Sequence, residues 1–315
     1  MKKDIKVLLK KHDGRIREIS QLITKLNYND RLNDGCSKVG FAYINEELAI
    51  EVGEEIRIDY DGKPIFDGRI FSVGDDRTKI VTITAYDQLR YAKEKDYFAT
   101  KAGETIDSLL RRMCNKFNFL TGHIAKTGYL LQANVYETTW LDILYEAIRD
   151  TIVNTGKWYA LRDEAGYITL RDINDLKLDL ILGDKSLCYD FSHETSIDQN
   201  FYNRILIQAV DGSIHTFVSK NNEKSMEKYG FLQYYEKLQN TNKSQAKVHA
   251  DILAEIYSKP RETMTLECLG DIRVRAGVSV LVSIGKIGMN KQLIVKSVTH
   301  DFLPTHTMSV EVFVA

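Results

Sequence analysis

The sequence is sparing in four things, and each shortage excludes a class of protein. Only 3 of its 315 residues are proline and 43% are hydrophobic. It is therefore neither disordered nor fibrous, and it is long enough for two or more domains with their own cores. Charge of one sign is lacking: 43 Lys and Arg stand against 44 Asp and Glu, a net charge of −1. No general field exists to hold a phosphate backbone, so no specific nucleic-acid binding is expected. The four cysteines, Cys36, Cys114, Cys188 and Cys268, lie far apart and form no CxxC pair, a pattern of reduced thiols rather than of a disulfide framework or zinc site. Long apolar runs are missing too. The opening MKKDIKVLLKK sets a short apolar run between lysines, too short for a signal segment, and nothing later reaches membrane-spanning length, so no membrane insertion is expected.

What is present is alternation. From Met264 to Val314, β-branched and apolar residues alternate through Val278, Val280 and Val282, through Ile294 to Val298, and through Met308 to Val312. Gly270-Asp271, Gly285, Gly288-Met289-Asn290 and Pro304 separate the runs. This is a meander of short antiparallel strands, which hides its apolar face by curling into a small barrel or sandwich. Residues 1 to about 98 are also mainly β, with strands predicted at Ile5–Leu9, Lys38–Ile44, Glu55–Tyr60, Ile65–Val73 and Lys79–Ala85. Arg15–Leu26 fits a helix or a strand equally by period alone.

The middle changes character. Ile106, Leu109, Leu110, Met113 and Phe117 follow Gly103-Glu104-Thr105 at the spacing of one helix face, and Leu141, Leu144, Tyr145 and Ile148 follow Thr138 as an N-cap. Lys157–Ile173 reads as a hairpin turning at Asp163-Glu164-Ala165-Gly166, and Phe201–Val218 as another turning at Asp211-Gly212. A helix is predicted from about Lys243 to Ser258, with Ala246, Ala250, Leu253, Ile256 and Tyr257 inward, and Pro260 ends it.

Two stretches run in parallel. Residues 53–84 and 277–312 each read Gly, alternating strand, Gly-containing turn, strand closing on Ser-Val, polar turn, alternating strand, with Ser72-Val73 and Ser297-Val298 at matching places. Any two meanders look alike to a degree, but shared order and spacing point to two related small barrels.

Taken in order, PIFDGRIFSV and VTITAYDQLRYA, AGETIDSLL, GYITLRD, NRILIQ, SMEKYGFLQ, ECLGDIRVRAG, and LIVKSVTHDF with HTMSVEV resemble the baseplate hub proteins of contractile phage tails, defective prophages and phage-tail-like bacteriocins. The resemblance covers nearly the whole chain. It implies a structural subunit whose two barrels sit in a homotrimeric ring, adapting a six-fold tail tube, or adjoining baseplate proteins, to a three-fold spike. Wedge components and the tape measure are further implied partners. Such a protein is made in the bacterial cytoplasm and then becomes part of a released virion or particle.

The expected fold is α+β, mainly β: two related small antiparallel β-barrel domains with helical and mixed α/β insertions. The boundaries expected are 1–98 for the first barrel, 99–194 for a helical and hairpin insertion, 195–220 with 260–315 for a discontinuous second barrel joined by Phe201–Val218, and 221–259 for a helix-containing insertion.

The family carries no invariant catalytic motif, so no catalytic, cofactor or metal residue is assigned and no enzyme is expected. Alternatives from other classes are a peptidoglycan-degrading tail enzyme and a host-binding tail-tip protein. Ser225 and Lys228 match S-x-x-K, but no SDN or KTG partner exists. Cys114 with His123 can be drawn as nucleophile and base, yet Cys114 falls on the apolar side of a predicted helix. His300, Asp301 and His306 lack a metal-ligand spacing and are expected as surface turn residues. The acid pairs Glu46-Glu47, Glu54-Glu55 and Asp75-Asp76 are expected as solvated charges, since glycoside chemistry needs carboxyls facing across a cleft. The aromatic cluster Tyr229, Phe231, Tyr234 and Tyr235 is expected mainly in a core, with an interface as the alternative. No GxGxxG or P-loop is present.

Overall fold

The computed structural model describes residues 4–44, 48–77, 79–198, 200–239 and 241–314. Glu46 and Glu47 lie outside them. The first module contains β1 (Ile5–Lys10), β2 (Ile16–Glu18), β3 (Ile23–Arg31), β4 (Lys38–Ile44), β5 (Glu55–Tyr60), β6 (Lys63–Asp75) and β7 (Ile80–Tyr86). The ambiguous Arg15–Leu26 is thus mostly extended, with a single 3-10 turn at Ser20–Leu22. Strand order is β3-β4-β7-β6-β5-β1-β2. Alternate residues of every long strand enter one core: Val7 and Leu9, Leu26 and Tyr28, Phe41 and Tyr43, Ile56 and Ile58, Phe66 and Ile70, Val81 and Ile83. Because β1 and β3, far apart in that order, share this core, the sheet is curled around it. Gly68 permits the tight bend: a Cβ there would come within 2.2 Å of the Tyr86 carbonyl oxygen.

A mixed α/β segment follows, with β8 (Lys95–Thr100), α1 (Ile106–Phe117), β9 (Thr121–Ile124), β10 (Asn134–Thr139), α2 (Trp140–Thr155), β11 (Tyr159–Asp163) and β12 (Ile168–Asp172). Thr105 opens α1 in a reciprocal capping box with Ser108. Thr139, one residue beyond the expected Thr138, caps α2 by accepting from the Asp142 amide, and Gly156 in the left-handed region closes it. The expected faces pack: Ile106, Leu109, Leu110 and Met113 share a core with Leu141, Leu144 and Ile148 and with Leu161 and Leu170 of the β11–β12 hairpin. Phe98 of β8 stacks on Trp140, ring centroids 3.8 Å apart.

The chain then enters β13 (Lys177–Gly183) and β14 (Cys188–Ser196), leaves for a separate unit, and returns through β18 (Arg261–Leu269), β19 (Ser279–Ile284), β20 (Met289–Asp301) and β21 (Thr307–Phe313). The separate unit holds β15 (Arg204–Asp211), β16 (Ile214–Asn221), α3 (Glu223–Tyr229), β17 (Gln233–Gln239) and α4 (Lys243–Tyr257). Contacts divide the chain into residues 1–191 with 265–313, and residues 192–264 with the last two.

These divisions correct the expected boundaries. Residues 95–98 belong to the middle segment, since β8 pairs with β10 rather than with the first module. Residues 177–191 belong with the second barrel: β13 pairs with β19 and the start of β14 neighbours β18. Phe201–Val218 does not join that barrel. Both edges of β15 are taken, by β16 antiparallel and by β17 parallel, and Ile205, Ile207 and Ala209 pack on Ala246, Ala250 and Leu253 of α4. Residues 201–259 are therefore one small sheet-and-helix unit rather than parts of two. Ile256, expected inward, is 57% exposed.

The parallel between the two meanders extends to detail. β5, β6 and β7 are 6, 13 and 7 residues long, and β19, β20 and β21 are 6, 13 and 7. The ladder slips between Ile70 and Ser72 in one and between Val295 and Ser297 in the other, so a bulge bends each long strand just before its Ser-Val pair. Gly53 (φ +86°) and Gly277 (φ +87°) start the meanders in the left-handed region, and their amides donate to Ile70 (2.7 Å) and Val295 (2.8 Å) respectively. Strand neighbours correspond as well: β3-β4-β7-β6-β5 matches β14-β18-β21-β20-β19. One strand departs. β1 runs antiparallel to β5, whereas β13, in the matching place, runs parallel to β19.

Candidate assembly site

The two modules meet along one ladder. β3 pairs antiparallel with the far half of β20, Arg31 opposite Ser297 through to Asn27 opposite Asp301, so a single sheet of 13 strands passes through both. The Asn29 side-chain amide donates to Thr299 Oγ1 at 2.8 Å. The Leu32 amide donates to the Lys296 carbonyl at 2.8 Å, and the Phe302 amide to the Leu26 carbonyl at 2.9 Å.

Behind this ladder lies a buried charge. Asp30 is 2% exposed and accepts from Arg275 Nε at 2.8 Å and from Ser37 Oγ at 3.1 Å. Arg275 also donates through Nη1 to the Asp163 carbonyl at 3.0 Å, and its guanidinium lies over the Tyr28 ring. Burial opposes the Arg275 charge, but Asp30 and Tyr28 outweigh it and hold the group cationic. Burial also raises the Tyr28 hydroxyl pKa and pushes the Asp163 carboxyl up to about 6. Tyr28, Tyr60, Ile65, Tyr167, Ile272 and Arg275 line a cleft of about 650 Å³ beside the pair.

His300 belongs to the same region. The Val274 carbonyl, 2.8 Å from Nε2, can only accept, so Nε2 carries the proton and Nδ1 accepts from His306 Nε2 at 3.0 Å. His306 Nδ1 in turn accepts from the Tyr60 hydroxyl at 2.7 Å. Burial lowers the His300 pKa to about 4. His300 is thus not the surface turn residue expected from sequence: it is fully buried, while Asp301 is exposed and His306 partly so. Among the described residues no group of acids, histidines and cysteines is arranged to hold a metal.

Cys114 and His123 lie in unlike surroundings, one buried and one exposed, whereas Ser225 and Lys228 lie one turn apart on a single short helix. Cys114 is 1% exposed inside the α1–α2 core, burial pushes its thiol up to about 11, and His123 points outward on β9. Ser225 sits in the seven-residue α3, and the Lys228 ammonium lies 4.7 Å from the Tyr229 ring centroid. Glu54, expected to be solvated, is 1% exposed and pairs with Lys11 at 2.5 Å; its neighbour Glu55 meets Lys10 and Arg69. Asp75 is exposed. The aromatic cluster divides: Tyr229 packs on Phe201 and Tyr234 on Tyr202 and Tyr257, while Phe231 and Tyr235 are 57% and 52% exposed. The Asp30–Arg275 pair is not legible in the sequence. Its two residues are 245 positions apart, and only the inward place of Asp30 in an alternating strand hints at burial.

Joined barrels with a mixed segment between them and a further unit inserted in the second define a known class of fold, that of prophage tail proteins. The 43 kDa tail protein of prophage MuSo2 from Shewanella oneidensis superposes with a TM-score of 0.73 at 12% identity, over 98% of this chain and 96% of that one. A tail protein from Neisseria meningitidis superposes at 0.69, again at 12% identity over 98% and 96%. By sequence the chain belongs to the YQBQ-like family, whose model matches residues 26–313. It is 28% identical over 269 residues to the phage-like element PBSX protein XkdQ of Bacillus subtilis, covering 84% of this chain and 82% of that protein.

Proposed function

We propose that this protein is the hub subunit of the baseplate of a contractile phage tail or phage-tail-like particle. Three copies form a ring that adapts a six-fold tube to a three-fold spike. The observation that carries this reading is the repeated meander, alike in strand lengths, bulge position and neighbour order. A closed ring of three repeats each subunit surface three times, so it presents six similar surfaces only if each chain carries two. The barrels alternate around the ring against the tube or adjoining baseplate proteins. The mixed segment from Gly103 to Ile173 belongs to the three-fold layer that meets the spike, and wedge components and the tape measure are further partners. The relationship to XkdQ, a protein of a phage-like element, supports this setting.

On this reading the chain is catalytically inert. The purified protein should have a solution mass three times that of the 36.1 kDa chain and should leave no clearing on cell-wall zymograms. Deleting the gene should abolish assembled tails. Normal tails in the deletion strain rule the hub out, and a zymogram band abolished by Ser225→Ala or Cys114→Ala restores the enzyme alternative.

A further inference from the structure

The two long strands of the repeat are alike, but their surroundings are not. In β20, residues Ser297–Asp301 have β21 on one side and β3 on the other, and Val298 and His300 are fully buried. The matching residues of β6, Ser72–Asp75, have β7 as their one neighbour among the described residues. All four are exposed, with Val73 at 36%. A complementary edge is spare elsewhere. β14 corresponds to β3 in the neighbour order and is likewise 9 residues long. It ends the sheet with β18 as its one neighbour among the described residues. In β3, Tyr28 and Asp30 are buried, whereas Ser192–Thr195 of β14 are all exposed.

Neither edge carries the lysine or proline that most strongly blunts a free strand: the two read Ser-Val-Gly-Asp and Ser-His-Glu-Thr-Ser, with one carboxylate in each. The chain therefore carries one complete contact of a type, β3 on β20, and the two unmatched halves of a second.

We propose that the free edge of β6 at Ser72–Asp75 pairs antiparallel with the free edge of β14 at Ser192–Ser196 in a second copy of this chain, repeating between copies the ladder that joins the two modules within one. The contact is heterologous, β6 of each copy meeting β14 of the next, so it closes into a ring when the rotation allows. The size of that ring rests on the trimeric reading above, but the identity of the two edges rests on the repeat itself.

The test places a benzoylphenylalanine photo-crosslinker at Val73 in the full chain. Heavy-isotope and light chains are mixed before illumination, and the linked peptides are identified by mass spectrometry. The expected product joins Val73 of one isotope to a peptide containing residues 192–196 of the other. In parallel, Val73→Lys and Thr195→Lys, each checked by circular dichroism, should weaken self-association at least tenfold on dilution. A trimer whose crosslinks fall elsewhere, or lysine variants that assemble like the parent, overturns the edge assignment and leaves the trimer standing. A parent chain that keeps the single-chain mass at every concentration, without crosslinks between isotopes, overturns both.

Discussion

The two barrels share a meander but differ in how it is completed, and the difference separates what makes the fold from what makes the assembly. In the first, a turn at residues 32–37 joins β3 to β4, and β3 is free to lie on β20. In the second, residues 197–260 separate β14 from β18, and β14 ends the sheet. The join between modules is sealed by Arg275, two residues before Gly277, on Asp30. The matching place two residues before Gly53 is Glu51, which is exposed. A contact within one chain persists for the life of the fold and can hold a desolvated ion pair. A contact between chains must first exist as two solvated edges, and apart from Val73 the side chains at the free ends are polar.

The strongest way to break this comparison is to remove its seal. Arg275→Ala should destabilise the larger unit by about 3–5 kcal/mol in urea unfolding, because it leaves the Asp30 carboxylate buried without its cation. Removing both charges with Arg275→Met and Asp30→Asn should recover most of that loss, since the destabilisation comes from the orphaned charge rather than from a missing attraction. A single variant as stable as the parent shows that the junction does not depend on the pair.

A finer way is to make the same change at two matching positions. Val298→Ala removes two buried methyl groups and should cost about 2 kcal/mol. Val73→Ala, its counterpart in the repeat, should change the stability of the isolated chain by less than about 0.5 kcal/mol. Equal losses in unfolding experiments on dilute protein contradict the claim that one strand is covered and the other open. On the reading that β6 meets a second copy, Val73→Ala acquires a cost only at concentrations where the chain assembles.

The asymmetry also explains what was legible in the sequence. Strands that bury one face within their own module alternate cleanly, and β5, β7, β19 and β21 were readable to within a residue or two. β14 was not, because CYDFSHETS has little apolar face to alternate and is exposed over most of its length. β13 is not legible although its sequence alternates, since a strand that pairs parallel to the distant segment Ser279–Ser283 leaves no local turn signal. Phe201–Val218 is legible as a hairpin but its sheet is not: alternation reports that a face is buried, but not on what. The buried place of His300 was hidden for a related reason. A histidine beside Asp301 and near Pro304 has the local chemistry of a turn, and its cover comes from Tyr28 of β3, the Val274 carbonyl and His306, which meet only in the fold.

The smallest expected effect is that of His300 on acid stability, and it needs a difference measurement. Burial lowers its pKa from 6.5 to about 4 in the folded chain. The unfolded chain therefore takes up a proton between those values that the folded chain refuses. The contribution of this site is present above about pH 6.5 and declines as the pH falls towards 4. Asp163 acts in the opposite direction. Its folded pKa of about 6 exceeds the ordinary 3.8, so the folded chain takes up that proton first and gains stability over an overlapping range. The total stability of the parent is thus a poor readout. The change between pH 7 and pH 5.5 should be compared in the parent and in His300→Gln, which retains a polar side chain and cannot titrate. The variant should be less stable at both values, but its stability should fall by about 1 kcal/mol less than the parent's over that interval. Parallel pH profiles locate the acid sensitivity elsewhere and mean that His300 is not held neutral by the pairing of β20 with β3.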